Sequence, residues 1–435
     1  MDSNPRPEQF GVLLKSHRIR RGTTQRQLAD LSTVSIRAIR DLELGRSRRP
    51  RRDTVRLIAD GLGLGSRERA RLEAAADDLR LIYGASFAPP PAPLDGLVGR
   101  DAEVEVLKKL LRSGGHRLVL VSGVGGVGKT RLTLAVADAL HHEAGFAVLW
   151  NSADGVPSPM RSMAGADPFS ALLQTGPGDP LDTPGTTVAD LSMILDEATP
   201  TLLVLDGYQA SEIRLDRVLS LLWEYRELRV LMTARTPFDH PSCQAFPLAP
   251  LAVPSRCVEP APDNLARLPA VRLLTDYVRR VVPDFRLSAA NAASVAELCR
   301  LLDGIPAALE ALAAWFLVAR PQELTEYVRT DPFGITGENK PGVREALLHA
   351  LSCLDTTQAA ALDRLAVAGD WSMADAVGLT GEHAPACARI VRRLLMLGLV
   401  RTVGEEDRTR FQVLALIRAL LDSGAGHLPV LDLDR

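Results

Sequence analysis

Lysine is scarce in this chain. Only Lys15, Lys108, Lys109, Lys129 and Lys340 occur among 51 basic Lys and Arg residues. Cysteine is scarce as well. Cys243, Cys257, Cys299, Cys353 and Cys387 form no C-x-x-C pair and no zinc-ligand spacing, so they read as scattered reduced thiols of a cytoplasmic protein. Long apolar runs are missing. The nearest, Ala307 to Ala319, carries Glu310 and reads as a core helix, well short of the ~18 uncharged residues that a membrane span needs. No membrane partner is expected. The N-terminus, Met1-Asp2-Ser3-Asn4-Pro5-Arg6-Pro7, lacks the apolar segment of a signal peptide. No repeat of 20–50 residues is visible, which excludes a solenoid and leaves no recognisable repeat sensor.

What is present begins with ordinary bulk properties. At 435 residues, 46% hydrophobic and 24% charged, the chain reads as soluble and globular, with roughly three domains at ~150 residues each. The net charge of −2 hides an asymmetry: residues 1–81 hold 18 Lys/Arg against 11 Asp/Glu, a net of +7, which leaves −9 for the rest. A basic head on an acidic body suggests that the head meets double-stranded DNA. The run Phe87-Ala88-Pro89-Pro90-Pro91-Ala92-Pro93 separates the two as a semi-rigid extended spacer.

The scarce lysine has one conspicuous use. Gly123-Val124-Gly125-Gly126-Val127-Gly128-Lys129-Thr130 fits G-x-x-x-x-G-K-[ST] and follows the apolar run Leu118–Val121. Successive backbone N–H groups and the following helix N-terminus would cradle phosphates, and the glycines let the backbone come close. Lys129 would reach the outer phosphates with a compact ammonium that arginine's planar fork cannot mimic. The Thr130 hydroxyl can ligate Mg²⁺, and Val127 and Arg131 complete the predicted nucleotide-contacting stretch. The next helix, through Leu132, Val136 and Leu140, has the spacing to pack on a sheet.

Apolar runs at Leu118–Val121, Phe146–Trp150, Leu202–Leu205 and Val230–Met232 alternate with helical segments, the pattern of a parallel sheet flanked by helices. The run Thr201–Asp206 ends in a carboxylate, as a Walker B strand does, and Asp206 would hold Mg²⁺ through water. Many P-loop ATPases place an acid directly after that Asp to polarise the attacking water. Here Gly207 stands there, so tight binding of ATP or ADP with slow or absent hydrolysis is expected. Residues 152–186, rich in Pro, Gly, Ser and Asp, read as a long mobile loop. From about 265 the pattern is helical, and Gly398–Val403 and Arg410–Leu414 read as a hairpin.

In the head, Thr24 is a good N-cap for one helix. Ser35 can cap a second that runs to Glu43 and is closed by Gly45. On a helical wheel Ala38, Ile39 and Leu42 face one way; Arg37, Arg40 and Asp41 face the other, with Ile36 at the edge. Such a helix suits the major groove.

The head resembles the phage-repressor/Cro-like helix-turn-helix family over Phe10 to Leu64. The resemblance carries Thr24-Gln25…Leu28-Ala29, Val34-Ser35…Ile39…Leu42-Glu43…Gly45 and Leu57-Ile58-Ala59…Leu62-Gly63-Leu64. It implies that Ser35–Glu43 is the recognition helix, that Gln25 touches phosphate, and that Arg48, Arg49 and Arg51 contact backbone or minor groove. Thr33 departs from the family's usual glycine; if that position needs a positive φ, Thr costs about 1 kcal/mol.

The body, from Leu97 to Leu421, resembles the STAND class of P-loop NTPases in its NB-ARC branch, through Val98-Gly99-Arg100, the two Walker motifs, Val230-Leu231-Met232-Thr233-Ala234-Arg235 and Asp303-Gly304-Ile305-Pro306. The resemblance implies that Val98, Gly99 and Arg100 border the adenine pocket, that Arg235 senses the γ-phosphate, that Pro306 packs on the base, and that a winged helix closes over ADP. The family's Met-His-Asp, whose histidine touches the ADP phosphate, is replaced here by Val413-Leu414-Ala415. The expected architecture is therefore multidomain: an all-α helix-turn-helix head (1–81), a Pro-rich linker (82–96), an α/β P-loop domain (97–260), an α-helical domain (261–338), a winged-helix domain (339–425) and a tail (426–435). The function expected of it is a nucleotide-switched, self-associating transcription regulator. An immune-type STAND signalling protein that oligomerises on detecting a ligand, and a DNA-associated ATPase, stay open beside it; the signal itself would come from an unknown ligand or sensor protein.

Overall fold

A computed structural model describes residues 10–44, 52–85, 90–91, 95–153, 195, 199–209, 212–238, 240–255, 261–335, 342–403 and 409–423. The loop expected over 152–186 lies outside these residues apart from its first two, as do Gly45, Arg48, Arg49 and Arg51.

The head is built from α1 (Phe10–Arg20), α2 (Gln25–Ser32), α3 (Ile36–Glu43), α4 (Arg52–Gly61) and α5 (Ser66–Ala85). Their apolar stripes meet in a separate core that includes Phe10, Leu14, Leu28, Ile39, Ile58, Leu62 and Leu72. Thr24 and Gln27 form a reciprocal capping box at the start of α2, and Ser35 Oγ accepts from Ala38 N–H at the start of α3. Between the two helices Thr33 sits in the left-handed region at φ 56°, the conformation that glycine takes at least cost.

The body begins with α6 (Asp101–Arg112), followed by β1 (Leu118–Ser122), α7 (Lys129–Ala144), β2 (Ala147–Ser152), β3 (Thr201–Asp206), α8 (Leu215–Glu224), β4 (Leu228–Thr233) and β5 (Gln244–Pro247). The strand pairs of this sheet are all parallel, in the order β2-β3-β4-β1-β5. The four long strands match the expected runs. The edge strand β5 was not expected: Gln-Ala-Phe-Pro has no apolar run. Alternation sorts β1 between two cores. Val119 and Val121 face α7 and the C-terminal half, while Leu118 and Leu120 face α8.

Helices α9 (Pro262–Leu265), α10 (Pro269–Val281), α11 (Ala292–Leu301), α12 (Pro306–Trp315) and α13 (Pro321–Thr330) follow. The apolar run Ala307–Ala319 is not one core helix. It ends at Trp315, whose Nε1 donates to Ile335 O (3.1 Å), and Leu317 and Val318 beyond it are exposed. Last come α14 (Val343–Ser352), α15 (Thr356–Val367), α16 (Met373–Thr380), α17 (Ala384–Leu397), the antiparallel pair β6 (Val400–Val403) and β7 (Arg410–Val413), and α18 (Ala415–Asp422). A continuous apolar core runs from one sheet face through both C-terminal helical groups.

Candidate nucleotide site and nucleic-acid surface

The phosphate-type loop connects β1 to α7. Val124 and Val127 are buried and anchor it from below. Gly126 and Gly128 take positive φ (79° and 101°), which turns the chain into the first residue of α7, Lys129. The Lys129 ammonium folds back to donate to Gly123 O (2.7 Å) and Val124 O (3.1 Å). Burial, and then the nearby positive charge of Arg235, lower its pKa to about 8; the opposing pull of Asp206 is weaker. A half-buried cation held by neutral carbonyls and repelled by an arginine is a group prepared for an anion.

Opposite the loop, Asp206 ends β3 and gathers hydroxyls from three elements. Thr130 Oγ1 donates to its carboxylate (3.0 Å to each oxygen), Thr233 Oγ1 at the end of β4 donates at 2.7 Å, and Ser152 Oγ at the end of β2 at 3.4 Å. Gly207 N–H in turn donates to Thr233 Oγ1 (2.8 Å). The strand order explains the convergence, because β4 lies between β1 and β3 and brings Thr233 to Asp206. A hydroxyl and a carboxylate in contact fit the hard oxygen ligation of Mg²⁺, with phosphate and water completing the shell. Thr233 and Ser152 were missed by the sequence reading. The only signal was a hydroxyl residue at the C-terminal end of each strand.

The remaining predicted residues divide into those around the loop and those with structural work. Arg235 is exposed, forms no salt bridge among the described residues, and lies within electrostatic reach of Lys129. Pro306 opens α12 4.0 Å from the position of a Cβ on Gly128, and Ala307 N–H donates to Gly126 O (3.2 Å). Arg100 is buried and engaged with Glu103 (2.7 Å) and Ala249 O (2.6 Å), with Val127 O at 3.5 Å. It braces the loop from behind. Gly99, at φ 64°, leaves room for Pro269, and Val98 packs against the main core. Arg131 pairs with Asp95 (3.3 Å), which also binds Arg280 (2.9 Å). The residue leaving the linker is thus tied to the helix that follows the loop.

The C-terminal helices reach the loop directly. A Cβ on Gly125 would lie 2.5 Å from Ala346 Cβ of α14, and one on Gly126 2.7 Å from Ala307 Cβ of α12. Gly398, just after α17, comes so near that its own Cβ would sit 2.6 Å from Val124 N. One buried acid joins these elements. Asp303, at φ 55°, accepts from the N–H groups of Ala415 and Leu416 (2.9 Å each) and faces Arg401 at 3.9 Å. Burial pushes its carboxyl above the ordinary range, while Arg401 and the two N–H groups pull it down. It therefore caps α18 from the loop that precedes Pro306. The stretch Val413-Leu414-Ala415 meets an aspartate here, a contact not anticipated from sequence.

On the head, α3 presents the expected face. Ile39 and Leu42 are buried, while Ile36, Arg37 and Arg40 are exposed and Asp41 is half-buried, 3.9 Å from Arg37. Ser35 is exposed at the helix start. Gln25 Nε2 donates to Glu43 (2.8 Å), and Arg18 Nη2 binds the same carboxylate at 2.9 Å. Burial works to raise the pKa of Glu43, but the Arg18 and Gln25 hydrogen bonds outweigh it and bring it below the ordinary value. This hub fixes α3 against α1 and α2, so its arginines project from a rigid base.

Residues 9–72 match the family profile described as a helix-turn-helix domain, and residues 96–231 match that of an AAA ATPase domain. An uncharacterized protein of Mycobacterium tuberculosis (strain H37Rv) is 28% identical over 332 residues, 73% of this chain and 77% of that one. A second M. tuberculosis protein, named "Putative HTH-type transcriptional regulator", is 31% identical over 215 residues, 48% of this chain and 21% of that one. Among solved structures, one of Drosophila ORC bound to DNA aligns over 79% of this chain and 90% of that chain at 14% identity, with a TM-score of 0.29, a likeness too low to carry an argument. No helix among the described residues is long and apolar enough to cross a membrane. The chain joins an N-terminal helix-turn-helix domain to a parallel-sheet ATPase domain of the AAA kind, followed by a helical C-terminal region.

Proposed function

We propose that this chain is a transcription regulator whose DNA-binding head is governed by the adenine nucleotide in its ATPase domain. The observation that carries the reading is the covering of the phosphate loop. Elements from three parts of the C-terminal half abut Val124, Gly125 and Gly126, so phosphates and C-terminal docking act on the same few backbone atoms. A ligand that prefers one arrangement of that loop shifts the docking equilibrium by its differential affinity. The name of the M. tuberculosis relative and the paired arginines of α3 support DNA as the partner.

In finer terms the body works as a STAND NTPase of the NB-ARC branch. Lys129, Thr130 and Asp206 hold the phosphates and Mg²⁺, Arg235 senses the outer phosphate, Pro306 lies by the base, and residues 339–425 act as the winged-helix cover. Gly207 leaves the attacking water without a base, so ATP or ADP serves as a clamp and turnover is slow. Release of the cover lets chains self-associate, and linked heads gain avidity on half-sites about 10 bp apart or a multiple of it.

The test uses genomic fragments enriched on the wild-type chain. Their binding is measured by fluorescence anisotropy with ATP, ADP or no nucleotide, for wild type and Lys129→Ala, with mass followed by light scattering. Nucleotide-dependent DNA affinity that Lys129→Ala abolishes is expected. DNA binding indifferent to nucleotide in both proteins would sink the switch.

A further inference from the structure

Helix α14 meets the nucleotide-binding domain at two points one helical turn apart. Ala346 rests on the phosphate loop, its Cβ 2.5 Å from the position of a Cβ on Gly125. One turn further on, His349 reaches the corner beyond β4, where its Nε2 lies 3.5 Å from Thr236 Oγ1. Residues at this spacing share one helix face, with about 5–6 Å between their Cβ atoms, and long side chains lean back toward the helix N-terminus. The imidazole therefore stands between Gly125 and the corner that carries Arg235 and Thr236.

Phosphates cradled by the loop and facing Arg235 would lie in that same space. One side of it is the loop with Lys129; the other is Arg235, whose charge reaches Lys129. His349 is half-buried and forms no salt bridge among the described residues. Its contact is with a neutral hydroxyl that also lies 3.6 Å from Cys353 Sγ. A contact of 3.5 Å between neutral groups is weak and is readily exchanged for a shorter, charge-assisted bond to a phosphate oxygen. Histidine suits the exchange, because its ring nitrogens donate and it takes up a proton near neutral pH.

We propose that His349 is a phosphate-binding residue supplied by the C-terminal half, its ring donating to an outer phosphate of the bound nucleotide beside Arg235. The nucleotide then bridges α14 and the phosphate loop by a direct hydrogen bond, in addition to the close packing of Ala346 on Gly125. This rests on the adenine-nucleotide reading of the site given above, and not on control of DNA binding.

The full chain is labelled at its histidine rings, and the His349 resonance is assigned through His349→Gln. Saturating ADP or ATP is expected to move that resonance, and AMP, which lacks the outer phosphates, to leave it near its starting position. By calorimetry, His349→Ala should bind ADP and ATP about tenfold more weakly, the loss of one charge-assisted hydrogen bond. AMP affinity should change less than about twofold, and His349→Gln should be intermediate. A histidine that only docks α14 on Thr236 gives a different pattern: all three nucleotides weaken alike, and α14 exchanges its amide hydrogens faster without nucleotide. That pattern, or a His349 resonance unmoved at saturating ADP and ATP, overturns the proposal. If wild type binds neither ADP nor ATP, the nucleotide reading falls with it. If nucleotide moves His349 while DNA binding stays indifferent to nucleotide, the switch falls and the phosphate contact stands.

Discussion

The charge on Lys129 is penalised by its surroundings, and the penalty can be measured. Its ammonium is largely withdrawn from water, donates to two neutral carbonyls and feels Arg235, so its pKa falls from 10.5 to about 8. A fall of that size corresponds to about 3 kcal/mol. The sign follows from proton counting. Between pH of about 8 and 10.5 the unfolded chain holds a proton on Lys129 that the folded chain has lost, so folding stability from this group rises with pH through that window. Below pH 8 the whole penalty is present. A bound polyphosphate reverses the preference, because it stabilises the ammonium; nucleotide binding above pH 8 therefore takes up a proton, and affinity falls as pH rises. Lys129→Met removes the charge and keeps the length. Without nucleotide, the variant is expected to be more stable than wild type by up to about 3 kcal/mol at pH 7. At roughly 2–4 °C per kcal/mol for a domain of this size, that raises the melting point by several degrees, and the advantage shrinks toward pH 10.5. Calorimetry of ATP binding to wild type in buffers of different ionisation enthalpy should report the proton. A Met variant no more stable at pH 7, or an advantage that grows with pH, would refute the account of a charge held ready for phosphate.

Asp303→Ala removes the cap of α18 and the partner of Arg401; breaking such a buried ionic arrangement costs about 3–5 kcal/mol, and hydrogen exchange should show residues 342–423 opening before the sheet, with Asp303→Asn intermediate. Unchanged protection there would mean that Asp303 does not hold the domains together. Thr33→Gly relieves a left-handed threonine and should stabilise the head by about 1 kcal/mol, seen as a later transition for α1–α5 in thermal melts of the full chain. Arg37→Ala and Arg40→Ala should each weaken binding to enriched DNA by about 1–3 kcal/mol if the side chain reads a base pairwise, and a variant that only lowers the salt dependence marks a phosphate contact instead. Thr233→Val deletes a donor to Asp206 and an acceptor for Gly207 N–H; it should weaken nucleotide binding in Mg²⁺ about tenfold while leaving Mg²⁺-free binding nearly intact, and equal losses in both would remove Thr233 from the metal site.

The parts of the site written in contiguous residues were legible before any coordinates. Gly123–Thr130 and Thr201–Asp206 each carry their chemistry in a short stretch whose local conformation is fixed by glycine turns or strand alternation. The capped α2 and α3 and the left-handed Thr33 belong to the same class, because caps and αL turns are decided within four residues. What the sequence concealed depends on strand order and on surfaces meeting. Thr233 and Ser152 become partners of Asp206 only because β4 inserts between β1 and β3. β5 escaped notice because an edge strand needs no apolar run. The end of α12 at Trp315 escaped because hydropathy continues through Phe316–Ala319 while no Gly or Pro marks the stop. Asp303 reads as a turn residue, and nothing local says that its carboxylate will cap a helix more than a hundred positions later.

The loop glycines illustrate how one sequence signal can conceal a second requirement. Read alone, Gly125 and Gly126 are there so that backbone N–H groups can approach phosphate. In the folded chain they are also the floor on which Ala346 and Ala307 rest, at 2.5 and 2.7 Å from where a Cβ would be. Gly125 has no positive φ that would demand glycine by itself, so its missing side chain serves proximity and not conformation. The residues that approach are themselves small, alanine from α12 and α14 and glycine after α17, as close apposition of backbone to backbone requires. Anything larger on either side would hold the C-terminal helices off the loop. The same few atoms thus satisfy two geometric conditions, closeness to a polyphosphate and closeness to a protein cover. That shared floor is the geometric premise of the nucleotide switch proposed above.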